Sequence, residues 1–166
     1  YRHKLGSSNK EDELIFEEKS EAFTVGIHLS SDEKYFFITT SDHNTSEQYY
    51  FYANEKVPKP KLIQKRKKGI LYSVNSWNGK FYNHTNENAE DFRIDISDNL
   101  ENSKWKVFIP AKEEVLIGGL TFLDNWIIRS ETSNALDKLF VRNIKTEIEE
   151  ELNFSDEKVY VPGVSL

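Results

Sequence analysis

The chain of 166 residues contains no cysteine and no methionine. The lack of cysteine excludes disulfide frameworks, thiol nucleophiles and zinc–thiolate sites, and it fits the reducing cytoplasm, where we predict that the protein resides. Because a natural reading frame begins with methionine, its absence predicts that the sequence is a segment of a longer protein. No apolar run approaches the roughly 18 residues of a membrane span, so we predict no membrane partner.

The sequence also lacks an excess of positive charge. Its 28 acidic residues outnumber 22 basic ones, whereas general nucleic-acid binders are basic, so we predict no nucleic-acid partner. Apolar residues are few, at 37 %, but aromatic residues at 13 % can fill the core of one domain. The sequence has no H-x-x-x-H pair, no phosphate-binding glycine loop and no G-x-S-x-G elbow. We therefore predict no metal site, no cofactor and no catalytic residue within this chain.

What the sequence does contain is a repeat of short β-rich segments separated by polar turns. The second strand of each round begins at Lys34, Lys80 and Asn125, which are 46 and then 45 residues apart, and an aromatic residue follows each. Four short strands in about 45 residues are typical of a β-propeller blade. We therefore predict an all-β fold, a partial β-propeller of about three four-stranded antiparallel blades.

The repeat also sets the predicted domain organisation. The three blades are expected to span residues 23–66, 70–110 and 115–153. Residues 1–18 are interpreted as the third and fourth strands of a preceding blade, and residues 158–166 as the first strand of a following one. In each blade the apolar first strand is expected to line the central channel, and the charged fourth strand to form the outer rim.

Two stretches admit an alternative interpretation. In "NALDKLFVRNIKTEIEEELNF", residues 134–154, Leu136, Leu139 and Phe140 have helical spacing, but the period of the whole chain favours two strands. The basic stretch "KPKLIQKRKKG", residues 59–69, could bind an anionic partner. Lysines on an edge strand also prevent edge-to-edge pairing, so we predict a solvated edge strand there.

Two short motifs are expected to be structural. Gly118 and Gly119 lie together inside a predicted strand, which indicates a bulge or tight packing at the channel wall. The triplet "SDH" at residues 41–43 could combine an acid with a base. It falls in a predicted turn, however, where Asp side chains commonly bond to their own backbone.

With the blades laid out, the sequence resembles the propeller domain of the prolyl oligopeptidase family of serine peptidases. The segments that carry the resemblance run in order over nearly the whole chain: "YRHKLG" (1–6), "DELIFEE" (12–18), "YFFITTSDHNTSEQYYF" (35–51), "ILYSVNS" (70–76), "KFYNHTNENAEDF" (80–92) and "WKVFIPAKEEVLI" (105–117). The resemblance implies a seven-bladed parent propeller that caps an α/β-hydrolase domain. The Ser-Asp-His triad of such enzymes matches no position here. The resemblance also implies a parent endopeptidase that cleaves small peptides after Arg or Lys.

On this interpretation the chain is a non-catalytic segment that gates access of peptides, and its partners are peptide substrates and the hydrolase domain. The first-strand residues His28, Ser73, Asn75 and Gly119 are then expected to face the channel or the hydrolase side. Open blade edges at the two ends of the arc would favour self-association. The alternative is a propeller scaffold that binds a protein partner through an exposed aromatic patch.

Overall fold

The computed structural model describes residues 1–101 and 103–153, and within them it confirms the all-β fold. Three four-stranded antiparallel sheets follow one another along the chain, and the strands of each sheet lie side by side in sequence order. The strands are Thr24–Leu29 (β1), Tyr35–Ser41 (β2), Ser46–Tyr52 (β3), Lys61–Gln64 (β4), Tyr72–Trp77 (β5), Lys80–Thr85 (β6), Arg93–Ser97 (β7), Lys106–Ile109 (β8), Leu116–Leu123 (β9), Trp126–Ser133 (β10), Leu136–Asn143 (β11) and Glu149–Glu151 (β12). We name the sheets blade 1 (β1–β4), blade 2 (β5–β8) and blade 3 (β9–β12).

Local sequence explains where the strands turn and end. Asn78 and Gly79 join β5 to β6 with φ angles of 51° and 72°, the left-handed pair that a two-residue hairpin turn requires. The helical alternative for residues 134–154 is wrong where the chain is described, because β11 and β12 are paired antiparallel there. The predicted strand at 158–166 lies outside the described residues.

The opening segment is more irregular than the two predicted strands. A single antiparallel bridge joins Arg2 to Glu13, and a 3₁₀ turn spans Asn9–Glu11. The side chains of Arg2 and Glu13 also form an ion pair, and the ring Nδ1 of His3 lies 2.7 Å from Asp12 Oδ1. One isolated bridge pairs only two residues, so the segment does not form two regular strands. That this segment ends a preceding blade stays a prediction.

Two apolar seams hold the three blades face to face. We call the side of a blade that is turned toward the preceding blade its near face, and the opposite side its far face. The first seam packs the far face of blade 1 on the near face of blade 2 through Phe37, Tyr50, Tyr72, Val74, Phe81 and Leu100. The second seam packs the far face of blade 2 on the near face of blade 3 through Tyr82, Ile94, Ile109, Ile117, Phe122 and Ile127. Burial of these side chains is the main source of stability at both seams.

Buried polar groups fix the register of the first seam. Ser46 Oγ lies 2.8 Å from the carbonyl oxygen and 2.7 Å from the backbone nitrogen of Tyr72. The side-chain oxygen of Gln48 accepts a 2.7 Å bond from the Val74 N–H. The Tyr72 hydroxyl accepts from the Gln48 N–H at 2.7 Å and donates to the Gln64 carbonyl. The inner edge of β5 is therefore bonded to blade 1 by side chains instead of by a strand.

The basic stretch at residues 59–69 is only partly the solvated edge that we predicted. It does supply the outermost strand β4, but its cations also reach carboxylates on other segments. Lys61 Nζ lies 2.6 Å from Glu101, and Lys67 Nζ lies 2.5 Å from Glu87, both on blade 2. Exposed ion pairs are weakened by solvent and salt, so these pairs orient the outer rim of the seam more than they stabilise it.

We predict that Tyr72→Phe destabilises the chain by about 1–3 kcal/mol, because the substitution leaves a buried N–H and a buried C=O without their partner. Urea unfolding followed by circular dichroism measures this free energy. Tyr1→Phe is the matched control, since Tyr1 is 84 % exposed. Equal stability of the two variants would show that the Tyr72 hydroxyl does not hold the seam.

Candidate functional site

The first strand of each blade is free of charged side chains. β1, β5 and β9 contain no Asp, Glu, Lys or Arg, although 30 % of the residues in the sequence are charged. The outermost strands are the reverse, since β12 consists of three glutamates and β4 and β8 each begin with lysine. The charge distribution across a blade therefore runs from a neutral inner edge to a charged outer edge.

Three of the four predicted channel residues lie together. Ser73, Asn75 and Gly119 line one depression of about 160 Å³ between β5 and β9, which we call the notch. The other residues of the notch are Tyr82, His84, Ile94, Leu120 and Phe122. His28 lies apart from it, on β1 at the first seam, where its ring stacks on Phe37 with centroids 5.4 Å apart.

His84 is a histidine of the notch that the sequence interpretation missed. Its Nε2 lies 2.7 Å from the carbonyl oxygen of Ile117, across the second seam, and its ring stacks on Phe92 at 4.6 Å. Burial lowers the pKa of His84, and the hydrogen bond to Ile117 opposes that shift only in part. A neutral imidazole that donates to a buried carbonyl is a structural donor, well suited to hold the seam.

Asn75 and His28 both make bonds across the first seam. The amide oxygen of Asn75 accepts from the Ser31 N–H at 3.0 Å, and its amide nitrogen donates to Ser31 Oγ at 2.8 Å. Burial lowers the pKa of His28, while a hydrogen bond with the backbone of Val74 opposes the shift. The polar groups of these two residues thus already make bonds between blades 1 and 2, although His28 is exposed, as are Ser73 and Gly119.

The glycine pair of β9 forms the predicted bulge. Ile117 pairs with Glu131 and Leu120 pairs with Arg129, so that Gly118 and Gly119 together lie opposite one residue. A Cβ on Gly118 would lie 2.1 Å from Ser130 Oγ and 3.0 Å from the Ser130 backbone oxygen, whereas a Cβ on Gly119 would meet nothing within 4 Å. Gly118 is required for packing, and Gly119 leaves the notch open.

The "SDH" triplet is the turn that we predicted. The carboxylate Oδ1 of Asp42 accepts from the backbone N–H groups of Asn44 at 2.9 Å and Thr45 at 2.7 Å. These bonds occupy the carboxylate within its own turn and lower the pKa of Asp42. Within residues 1–101 and 103–153, no three acidic or histidine side chains are grouped as metal ligands.

Two ionic clusters, each built around a buried glutamate, bind the segments that lead into blades 1 and 3. Arg66 Nη2 lies 2.6 Å from Glu18, in the segment before β1, and 3.2 Å from Glu47 on β3. Lys112, before β9, lies 2.6 Å from Glu131, which also pairs with the buried Arg129 at 3.1 Å. Each carboxylate has a cation as its partner, so these clusters are structural clamps and not acid–base pairs poised for catalysis.

Tyr49 belongs to the first clamp. Its hydroxyl donates to Glu47 at 2.7 Å, and its ring contacts Phe16 with centroids 4.7 Å apart. Burial and the neighbouring carboxylate raise the pKa of Tyr49 to about 12. The Tyr49 hydroxyl therefore stays protonated at neutral pH and acts as a hydrogen-bond donor.

Three successive antiparallel sheets with a neutral inner edge define a partial β-propeller. The family model of the prolyl oligopeptidase N-terminal β-propeller domain matches residues 1–165. The chain therefore belongs to the family of prolyl oligopeptidase N-terminal β-propeller domains, as the resemblance predicted. The described part of the chain contains no helix that is long and apolar enough to cross a membrane.

The chain is also similar to individual peptidases. It is 33 % identical to Protease 2 of Moraxella lacunata over 72 % of its length, and 26 % identical to dipeptidyl aminopeptidase BI of Pseudoxanthomonas mexicana over 98 %. The solved structure of oligopeptidase B from Trypanosoma brucei, with covalently bound antipain, superposes on 96 % of the chain with a TM-score of 0.87 at 21 % identity, and the chain covers 24 % of it. The chain spans only 19 % and 22 % of the two curated relatives, about a fifth of their length.

We predict that Gly118→Ala destabilises the chain by about 1–3 kcal/mol, because the added methyl group collides with Ser130 on the neighbouring strand. Gly119→Ala is the matched control, and we expect it to change stability by less than about 0.5 kcal/mol. Thermal and urea unfolding of both variants measure the difference. Similar losses at both positions would contradict a packing role that is specific to Gly118.

We predict that His84 makes the chain less stable in mild acid. Because the pKa of His84 is lower in the folded protein than its ordinary value of 6.5, the unfolded chain binds the proton more readily. The stability that neutral His84 contributes is complete above about pH 6.5 and declines as the pH falls below that value. Urea unfolding at pH 7.5 and pH 5.5 should therefore show a larger loss for the natural chain than for His84→Gln. His43→Gln, in the exposed turn, should lose as much as the natural chain.

Proposed function

We propose that this chain forms three blades of a propeller that admits small peptides to a hydrolase domain of the same full-length protein. The observation that carries the proposal is the family match over residues 1–165, together with the absence of a G-x-S-x-G elbow from the sequence. The printed names of the relatives are those of peptidases. On this proposal the nucleophile and its partner residues lie in the hydrolase domain and not in the propeller.

The neutral first strands support a role at the channel wall. Substrates with Arg or Lys before the cleaved bond carry positive charge there, which a wall with carboxylates would retain and a wall with lysines would repel. The notch instead offers the hydroxyl group of Ser73, the ring of Tyr82 and the open backbone at Gly119. We propose that His28, Ser73, Asn75 and Gly119 belong to this wall, with His28, Ser73 and Gly119 exposed and Asn75 half-buried at the first seam.

We propose cleavage after Arg or Lys for the full-length protein, and we expect the residues that select Arg or Lys to lie in its hydrolase domain. The alternative of a scaffold for a protein partner predicts a continuous aromatic patch. Among the described residues, the exposed aromatic side chains are Tyr1 in the opening segment, Tyr52 on blade 1 and Trp126 on blade 3, with blade 2 between the last two. This separation favours the peptidase over the scaffold. Self-association of this chain through open blade edges also remains a proposal.

The test uses the full-length protein that contains these residues. We expect it to hydrolyse peptides after Arg or Lys, and its downstream sequence to contain G-x-S-x-G followed by Asp and His. Gly119→Trp adds a large side chain to the wall and narrows the channel. We expect it to lower kcat/KM for long peptides more than for a one-residue arginine amide. Val107→Trp is the control, because Val107 is 56 % exposed on the outer strand β8.

The peptidase function and the gating role of the wall can be disproved separately. A full-length protein without the elbow and without peptidase activity would favour the scaffold. An active enzyme in which Gly119→Trp slows both substrates equally would remove the gating role of this wall while leaving the peptidase function intact.

A further inference from the structure

The notch between β5 and β9 is a neutral depression with an aromatic floor. None of its eight described lining residues is Asp, Glu, Lys or Arg, and its volume is about 160 Å³. Tyr82 and Phe122, which are only 7 % and 6 % exposed, form its floor, and their ring centroids lie 4.9 Å apart. Ser73 and Gly119 are exposed and lie at its mouth.

The first seam shows what fills the corresponding place between blades 1 and 2. Phe37 and Tyr82 are each the third residue of a second strand, and each lies on the far face of its blade. Phe37 is paired with His28 on the first strand, and the imidazole ring stacks on it with centroids 5.4 Å apart and ring planes 26° apart. At the first seam, therefore, a flat ring of the chain itself covers this position.

The second seam leaves the same position without a ring from its first strand. Tyr82 is paired with Asn75, and the amide group of Asn75 is bonded to Ser31 across the first seam at 3.0 and 2.8 Å. On the opposite side of the notch, the bulge of β9 places Gly119, which has no side chain to fill the space. The notch is thus the place that a ring would occupy if the second seam were built like the first.

Size and polarity restrict what the notch can hold. An apolar cavity of about 150 Å³ holds one benzene ring, so the notch has room for one aromatic side chain. A carboxylate or ammonium group would lose its hydration there without gaining an ionic partner, because the lining carries no charge of either sign. Aromatic rings attract one another beyond the area that they bury, and the rings of Tyr82, Phe122 and Trp77 already form a contiguous series.

We propose that the notch binds one uncharged aromatic side chain, that of phenylalanine or tyrosine, from a peptide that lies along the channel wall. On the proposed function, on which this site rests, the notch makes the wall selective among peptides. The bound ring lies over Tyr82 as the His28 ring lies over Phe37. The exposed hydroxyl group of Ser73 can bond to the main chain of the same peptide, and Gly119 lets that main chain approach closely.

The test measures binding of acetyl-phenylalanine amide to the full-length protein by saturation-transfer difference NMR. We expect this probe to bind, and acetyl-alanine amide and acetyl-glutamate amide to give no signal at the same concentration. Gly119→Leu and Ser73→Leu, which fill the mouth of the notch from opposite sides, should each weaken binding of the phenylalanine probe by about tenfold or more.

Gly26→Leu is the matched control. Gly26 is also an exposed glycine of a first strand, and an added Cβ there, as at Gly119, would meet nothing within 4 Å. The substitution therefore adds the same side chain to the wall away from the notch, and it should leave binding of the phenylalanine probe unchanged. A general narrowing of the channel would instead affect the variants at both glycines equally.

Equal binding of the phenylalanine probe by the natural protein and by both notch variants would overturn the proposal. Absence of binding to the natural protein, or equal binding of the three probes, would also overturn it. Hydrolysis of a one-residue arginine amide reports separately on the proposed function. An active enzyme with any of these binding results would lose this site alone. An inactive protein that binds the phenylalanine probe through the notch would support the site and overturn the peptidase function.

Discussion

The first strand of a blade lies at the edge of its sheet, so the N–H and C=O groups on its inner edge have no neighbouring strand to bond. In this molecule the seams between blades supply the hydrogen-bond partners for these groups. At Val74 the partner is the amide oxygen of Gln48. At Ile117 the N–H bonds to the Asp91 carbonyl at 2.9 Å, and the carbonyl meets the ring of His84. An unpaired buried amide costs about 1–3 kcal/mol, so each blade must be seated on the preceding one before its own first strand is satisfied.

The same constraint separates charge from the inner strands. Side chains that bond to the inner edge are short and polar or are neutral imidazoles, because a buried ion would need its own partner. Charged groups are therefore absent from the first strands, and Arg66 and Lys112 instead bind carboxylates on other segments, Glu47 on β3 and Glu131 on β10. A channel wall without charged side chains can be passed by peptides of either charge. The structural need for uncharged first strands therefore agrees with the proposed function.

The repeat in the sequence predicted the three sheets, the strand character of residues 136–151 and the bulge at Gly118, because these depend on local periodicity and on glycine. The notch could not be predicted from the sequence alone, because it depends on which first strands lie side by side. In the structure Ser73, Asn75 and Gly119 line it together. The sequence could not indicate that His84, on a second strand, reaches across a seam. It also could not show that Lys61 and Lys67 pair with carboxylates of the next blade, since such contacts arise only from the packing of distant segments.

Each blade contacts only its immediate neighbours, and every seam follows one plan. Stability in such an array is a sum of blade and seam contributions, with no single core on which all parts depend. An added or deleted blade would therefore change the circumference of the ring and the width of its opening without requiring a new kind of contact. The repeated near and far faces make the number of blades a variable that evolution can alter by duplicating about 45 residues at a time.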